Sequence, residues 1–427
     1  MPKRPSNLRA AWTATRLAGR RLVGRRVSER DLALGELLTG QLDEMKGLAM
    51  KIGQIVSYLD VPLPDEVQEK LARLQTGVVG MPAAQVREVV EGALGDTLEG
   101  AFEAFAIEPV AAASIGEVHR ARVAGREVAV KVQYPDVSGS FAADLGSLGR
   151  VASLASLASA VDGRAIVREL SERLEEECDY PREAEMQRAF AARFANDPRV
   201  VVPEVIRSHT AGPVLTSEWI DGDGFAALCR SDDAARKDAA AEALIRFTYE
   251  CLLGWGTIQA DPHPGNFLFL EDGRVAFLDF GCVRELDASF VDGLRAMTRA
   301  IRDGDRAAFA ASVRDLGLVG DPKRFDYDHF YRVMEHLHRP FLVERFTITR
   351  EFVAEGHALN GPTSPNARTL SMPPAYVWVA RLQWGLWSIL ARLGASGSFG
   401  GILDDALSGR RGGATSGSMS LAAPLGL

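Results

Sequence analysis

Apolar positions along this chain recur with two periods, and the changes from one to the other mark the predicted elements. Leu42, Met45, Ala49, Ile52, Val56 and Leu59 fall at helical spacing and predict a helix with an apolar stripe over Gln41–Leu59. Val123–Val132 alternates instead, with Val128 and Val130 on one face and Ala129 and Lys131 on the other, which predicts a hairpin about Ala124-Gly125-Arg126. A second hairpin is predicted about Glu271-Asp272-Gly273, and its apolar alternating second arm ends at Asp279-Phe280-Gly281. Val214–Trp219 reads as a short strand, Ala240–Trp255 and Asp287–Leu318 as helical stretches with Gly304 and Gly317 as turns, and Asp144–Ala160 as a small-residue helix. Tyr376–Leu393 is aromatic and aliphatic but is interrupted by Arg381, Gln383 and Arg392. A membrane span needs about 20 mostly apolar residues, so this stretch predicts either a helix buried on a larger lobe or a membrane or partner surface, where Trp378, Trp384 and Trp387 would suit headgroup depth.

Composition changes the picture only locally. A chain of 427 residues can bury a sizeable core, and a net charge of -8 argues against a general nucleic-acid-binding surface. The charge is uneven: Met1–Ser28 has no acidic residue, whereas Lys3, Arg4, Arg9, Arg16, Arg20, Arg21, Arg25 and Arg26 are basic. Such an arm fits anionic phospholipid, an organelle-targeting peptide or a solvated helix face, and it lacks the apolar core of a secretory signal. Cys178, Cys229, Cys251 and Cys282 are widely spaced, which excludes a zinc-finger pattern and points to thiols in a reducing cytosol. His336-Leu337-His338 lacks a third ligand and reads as a surface feature.

Candidate chemistry concentrates in Thr257–Gly281. Asp261 is followed five residues later by Asn266 and then, across the predicted hairpin, by Asp279-Phe280-Gly281. This is the order, and the first spacing, of a protein-kinase catalytic loop and metal loop. An aspartate can accept a hydroxyl proton, while an asparagine oxygen and a second aspartate are hard donors suited to Mg²⁺. Upstream, Val128-Ala129-Val130-Lys131 has the form of the kinase strand whose lysine holds nucleotide phosphates. The glycine-rich loop expected before it is replaced by Ala111-Ala112-Ala113-Ser114, with Gly116 the nearest glycine, and methyl groups there would stiffen the loop and alter its grip on phosphates. No A-P-E follows Gly281, so a peptide-docking activation segment is not evident.

Five segments taken in order, MKIGQ, AAASIGEVHRA, VAVKVQYP, EECDYPREAE and QADPHPGN with LDFG, resemble the UbiB/AarF family of atypical kinases, over about Leu42–Arg284. Glu117 stands where that family often has glutamine, and Gln259 where it often has histidine. The resemblance implies an α+β, bilobal protein-kinase-like fold with an N-terminal helical extension and an insert in the smaller lobe. The expected organisation is a basic extension at 1–40, a helical extension at 41–105 carrying the Lys-x-Gly-Gln motif, the smaller lobe at 106–220, a helical lobe at 221–407 and a disordered tail at 408–427.

By resemblance, Lys131 pairs with nucleotide phosphates and Glu177 is its ion-pair partner, with Asp179 and Glu183 supporting on the same helix. Ala111, Ala112, Ala113 and Ser114 cover the nucleotide, and Glu218 and Ile220 belong to the hinge that meets adenine. Asp261 faces the transferred phosphoryl group, Asn266 and Asp279 hold Mg²⁺, and His263 sits where kinases often carry a loop lysine. Lys51 and Gln54 occlude the surface on which a protein substrate would lie. The implied cofactors are ATP, or ADP, and Mg²⁺. The implied partners are the nucleotide, a lipid or isoprenoid-quinone precursor and a peripheral membrane contact, with no nucleic acid and a cytoplasmic location at the inner membrane face. A protein Ser/Thr kinase and a nucleotide-binding pseudokinase scaffold stand as alternatives to the atypical kinase or ATPase.

Overall fold

Arg126–Gln133 buries every second side chain, Val128, Val130 and Val132, and leaves Lys131 on the opposite face. This strand organises the first of two compact units in the computed structural model, which describes residues 80–113, 115–135, 177–361 and 363–409. The basic arm, Lys51 and Gln54, Ser114, the 144–160 stretch and the tail from residue 410 lie outside the described residues. Among those described, one unit holds the residues up to Ala189 together with Pro203–Trp219, and the other holds Phe190–Val202 and the chain from Ile220 onward.

The first unit is an antiparallel sheet with a helix on one face. In chain order it contains α1 (Ala83–Leu94), β1 (Ala104–Phe105), β2 (Ala111–Ala113), β3 (Gly116–Val123), β4 (Arg126–Gln133), the start of α2 (Tyr180–Phe194) and β5 (Val214–Glu218). The sheet runs β1-β3-β4-β5, with β2 also paired to β3. Ala124 and Gly125 join β3 to β4 with φ of 49° and 74°. Two consecutive positive φ values give the mirror-image turn whose twist matches a two-residue hairpin, so Arg126 opens the strand rather than closing the turn. Val86 and Val90, one turn apart on α1, pack with Met81, Leu98 and Phe102 against the valines of β4. Each fully buried valine contributes roughly 1.5–2 kcal/mol. Glu117 and His119 are buried at 0% exposure. Glu117 accepts from the Met81 amide at 2.8 Å through one oxygen and meets His119 Nε2 at 2.9 Å through the other, tying the segment before α1 to the sheet.

The second unit is mainly helical. α3 (Ala234–Tyr249) runs into a π-helical turn, Glu250–Trp255, that ends at Gly256 with φ of 80°. Four short strands follow: β6 (Thr257–Gln259), β7 (Phe267–Phe269), β8 (Val275–Phe277) and β9 (Val283–Glu285). β7 and β8 form the hairpin predicted about residues 271–273, Val200–Val201 adds to β8 in parallel, and β9 returns antiparallel to β6. The parallel addition groups Phe190–Val202 with this unit. Helices α4 (Ala288–Asp303), α5 (Arg306–Asp315), α6 (Tyr327–Leu342), α7 (Arg350–Asn360), α8 (Pro374–Leu393) and α9 (Gly400–Ser408) make up most of the rest.

The tryptophan-rich helix is α8, and its environment is mostly interior. Trp387 is fully buried beside Phe341 and Phe352, Trp384 stacks on His357 at 4.1 Å, and Trp378 lies 4.5 Å under the Arg284 guanidinium. Among the described residues no helix is long and apolar enough to cross a membrane. The His336-x-His338 pair is not a surface feature, because α6 packs both rings inside. His336 Nε2 meets Phe352 O at 2.8 Å and His338 Nδ1 meets Met334 O at 2.7 Å.

Candidate active site

In the first unit, Lys131 projects from the face of β4 opposite the valine core. Its Nζ lies 2.9 Å from both carboxylate oxygens of Glu183 and 4.9 Å from the Tyr180 ring centroid. The Lys131 side chain is 19% exposed and that of Glu183 2%, so water screens the pair weakly. The partner expected from sequence was Glu177; in the structure Lys131 meets the carboxylate of Glu183. The cause is a break at Asp179. Asp179 accepts from the Arg182 amide at 2.9 Å and so caps α2, while its carbonyl accepts from Glu183 N at 3.0 Å. Glu177 therefore precedes the cap, whereas Glu183 falls in the first turn of the new helix, facing β4. The acidic residues do not share one continuous helix.

The alanine run is a strand where sequence reading expected a loop. Ala111, Ala112 and Ala113 pair with Val118, Glu117 and Gly116, closing a tight hairpin. A Cβ on Gly116 would lie 2.2 Å from Val132 O, so the glycine permits β3 and β4 to close there. Glu218 ends β5, and its amide donates to Glu204 O at 2.8 Å. The division between units falls directly after Trp219, so Ile220 opens the second unit.

The second unit assembles the remaining candidates around two adjacent loops. The β6–β9 pairing aligns Gln259 with Val283, and Ala260 N donates to Cys282 O at 2.7 Å, which sets the loop leaving β6 beside the loop entering β9. Asn266 Nδ2 donates to the Asp261 carbonyl and to Asp261 Oδ2, each at 3.1 Å. Leu278 N donates to Asn266 O at 3.0 Å, and Asp279 Oδ1 accepts from Gly281 N at 3.0 Å. His263 Nδ1 accepts from Gly265 N at 3.1 Å and so caps the 3₁₀ turn Pro264–Asn266. Phe280 is buried, its ring 4.9 Å from that of Phe190.

Two residues of this site were missed from sequence. Gln259, buried, donates its amide to Asp261 O at 3.0 Å and Asp279 O at 3.3 Å and so crosslinks the two loops. Arg381 of α8 donates to Asp261 Oδ1 at 2.7 Å. Gln259 carried a signal in its position two residues before Asp261. Arg381 carried none, being 120 residues away in sequence.

The donor set fits Mg²⁺. With its amide nitrogen committed to Asp261, Asn266 directs an oxygen elsewhere, and Asp279 supplies a carboxylate. Among the described residues no group of three or more His, Cys, Asp or Glu could hold an ion by itself. A cation held by Asn266 and Asp279 would complete its shell from phosphate oxygens and water, the habit of Mg²⁺ in nucleotide sites. Beyond Gly281 the chain enters β9 and then α4 at Ala288, so it forms no long segment of the kind that docks a peptide.

Comparison with known proteins bears on this geometry. The ABC1 atypical kinase-like domain matches residues 73–313. The chain is 31% identical over 370 residues to the atypical kinase COQ8, mitochondrial, of Saccharomyces cerevisiae, covering 84% of this chain and 73% of the yeast protein. It is 29% identical over 394 residues to the atypical kinase coq-8, mitochondrial, of Caenorhabditis elegans, covering 87% of this chain and 51% of the worm protein, about half its length. A solved structure, that of Rv3197 with erythromycin from Mycobacterium tuberculosis, superposes with a TM-score of 0.67 at 29% identity, covering 88% of this chain and 98% of that one. With the lysine–glutamate pair, the Asp261–Asn266 loop and the Asp279-Phe280-Gly281 loop all inside the matched region, the chain belongs to the UbiB/AarF family of ABC1 atypical kinases.

Proposed function

We propose that this protein is a Mg²⁺-dependent atypical kinase or ATPase that hydrolyses ATP or transfers its phosphoryl group to a small molecule or lipid in isoprenoid-quinone or lipid metabolism. The observation that carries the proposal is the joining of the two loops of the second unit, where Asn266 bonds Asp261 and Gln259 bonds both Asp261 and Asp279. Bound Mg²⁺ would neutralise charge developing on the phosphates and orient them. Lys131, held in place by Glu183, binds phosphate, and Glu218 and Ile220 receive the adenine. Asn266 and Asp279 hold the cation, and Asp261 orients or deprotonates the attacking hydroxyl or water. Catalysis on this reading is mainly positioning and charge stabilisation.

The short path from Gly281 to α4 favours a small or lipidic acceptor over a protein. Peripheral contact with a membrane at its cytoplasmic face is part of the same proposal. Phosphate release from Mg-ATP tests it. Asp279→Asn is expected to lower turnover by about 10²–10³-fold, as loss of one preorganised electrostatic group does elsewhere. Unchanged turnover in that variant refutes the assignment, and nucleotide binding without turnover in the unaltered protein points to a scaffold.

A further inference from the structure

Asp261 has both carboxylate oxygens engaged. Oδ2 accepts from Asn266 Nδ2 at 3.1 Å, and Oδ1 accepts from Arg381 Nη2 at 2.7 Å. The Arg381 and Asp261 side chains are 16% and 23% exposed, so the ion pair is set into the unit and is not a surface contact. Arg381 also lies 5.6 Å from the Trp378 ring on the same helix.

The helix that carries Arg381 is locked against the catalytic loop. One turn after Arg381, Gly385 sits so close to Pro262 that an added Cβ would come within 2.3 Å of the proline Cγ. Leu382 and Leu386 are buried on either side of that contact, and Gln383 donates to Tyr249 OH at 3.3 Å. A latch that releases Asp261 would need a helix able to withdraw, and this packing opposes withdrawal. Arg381 therefore offers a charge at a set place.

We propose that Arg381 is a positioning residue. It holds the Asp261 carboxylate in one rotamer, hydrogen-bonded to Asn266 and aligned for the attacking hydroxyl or water. The chemistry is carried by Asp261 and Asn266, and Arg381 acts through them. This inference rests on the proposed Mg²⁺- and nucleotide-dependent function. It predicts a loss in the rate of the chemical step without a loss in nucleotide affinity, because Arg381 is required to fix the loop and not to hold the nucleotide.

The test uses the full chain and Arg381→Gln, with steady-state phosphate release from Mg-ATP, calorimetric titration of nucleotide, and thermal unfolding. Expected is a fall in kcat on the order of ten- to a hundredfold, the scale of a misplaced reacting group. Nucleotide Kd should stay within about threefold of the unaltered protein. Arg381→Lys keeps the charge but not the reach of the guanidinium and should give an intermediate kcat at the same Kd. If Arg381→Gln does not fold, Arg381→Lys carries the same comparison. An unchanged kcat overturns the inference, as does a fall in kcat matched by weakened binding and a lowered Tm, which would mark a merely structural residue. Absence of turnover in the unaltered protein overturns the functional proposal together with this one, whereas turnover there with normal kcat in the variants overturns this one alone.

Discussion

Replacing Glu183 by glutamine removes a charge that faces Lys131 while keeping the shape of the side chain. At 2.9 Å and an effective dielectric near 20 the Coulomb attraction is about 6 kcal/mol, an upper bound on what the pair contributes. Burying the carboxylate offsets much of it, the ammonium keeps some contact with water, and the substituted amide oxygen still accepts one hydrogen bond. The net loss should be about 2–3 kcal/mol. For a unit of this size that lowers Tm by on the order of 5 °C. Scanning calorimetry on Glu183→Gln, Lys131→Met and the double variant measures the coupling, because contacting residues give non-additive effects. The Glu183 substitution should cost little once Lys131 is gone. Additive behaviour of the Glu183 pair would refute the assignment of Glu183 and the argument from the helix break at Asp179.

Other substitutions probe the framework. Gly116→Ala drives a methyl into the Val132 carbonyl 2.2 Å away and should destabilise the sheet unit by about 3 kcal/mol in urea titration, through forced separation of β3 and β4. Gln259→Ala leaves the Asp261 and Asp279 carbonyls without their shared donor; a loss of about 2 kcal/mol and a higher Mg²⁺ requirement for turnover should be seen in denaturation and metal titrations. Burial pushes the His338 imidazole down to about 4 from an unfolded value of 6.5. The unfolded chain thus takes up the proton first, so stability is full above pH 6.5 and falls as pH drops towards 4, by about 3 kcal/mol in all. His338→Gln should flatten that part of the stability-against-pH curve measured by denaturant midpoints.

Local periodicity and spacing were enough for several features. The alternation that isolates Lys131 from Val128 and Val130, the hairpin about Gly273 and the joint order of Asp261, Asn266 and Asp279 all express interactions within a few residues or across one turn, and a sequence displays those directly. The helical stretches around Gly304 and Gly317 were legible for the same reason, since both glycines take φ near 71° at the ends of their helices. The tertiary structure decided the rest. A helix cap at Asp179 put Glu183 within reach of Lys131, and the close fit of Gly385 on Pro262 brought Arg381 to Asp261. The same packing placed Trp387 inside the helical unit. A sequence names the residues able to carry charge, donate or pack, but their partners are chosen where distant segments must fill one volume without overlap, and neither the cap nor the packing contact has a period to read.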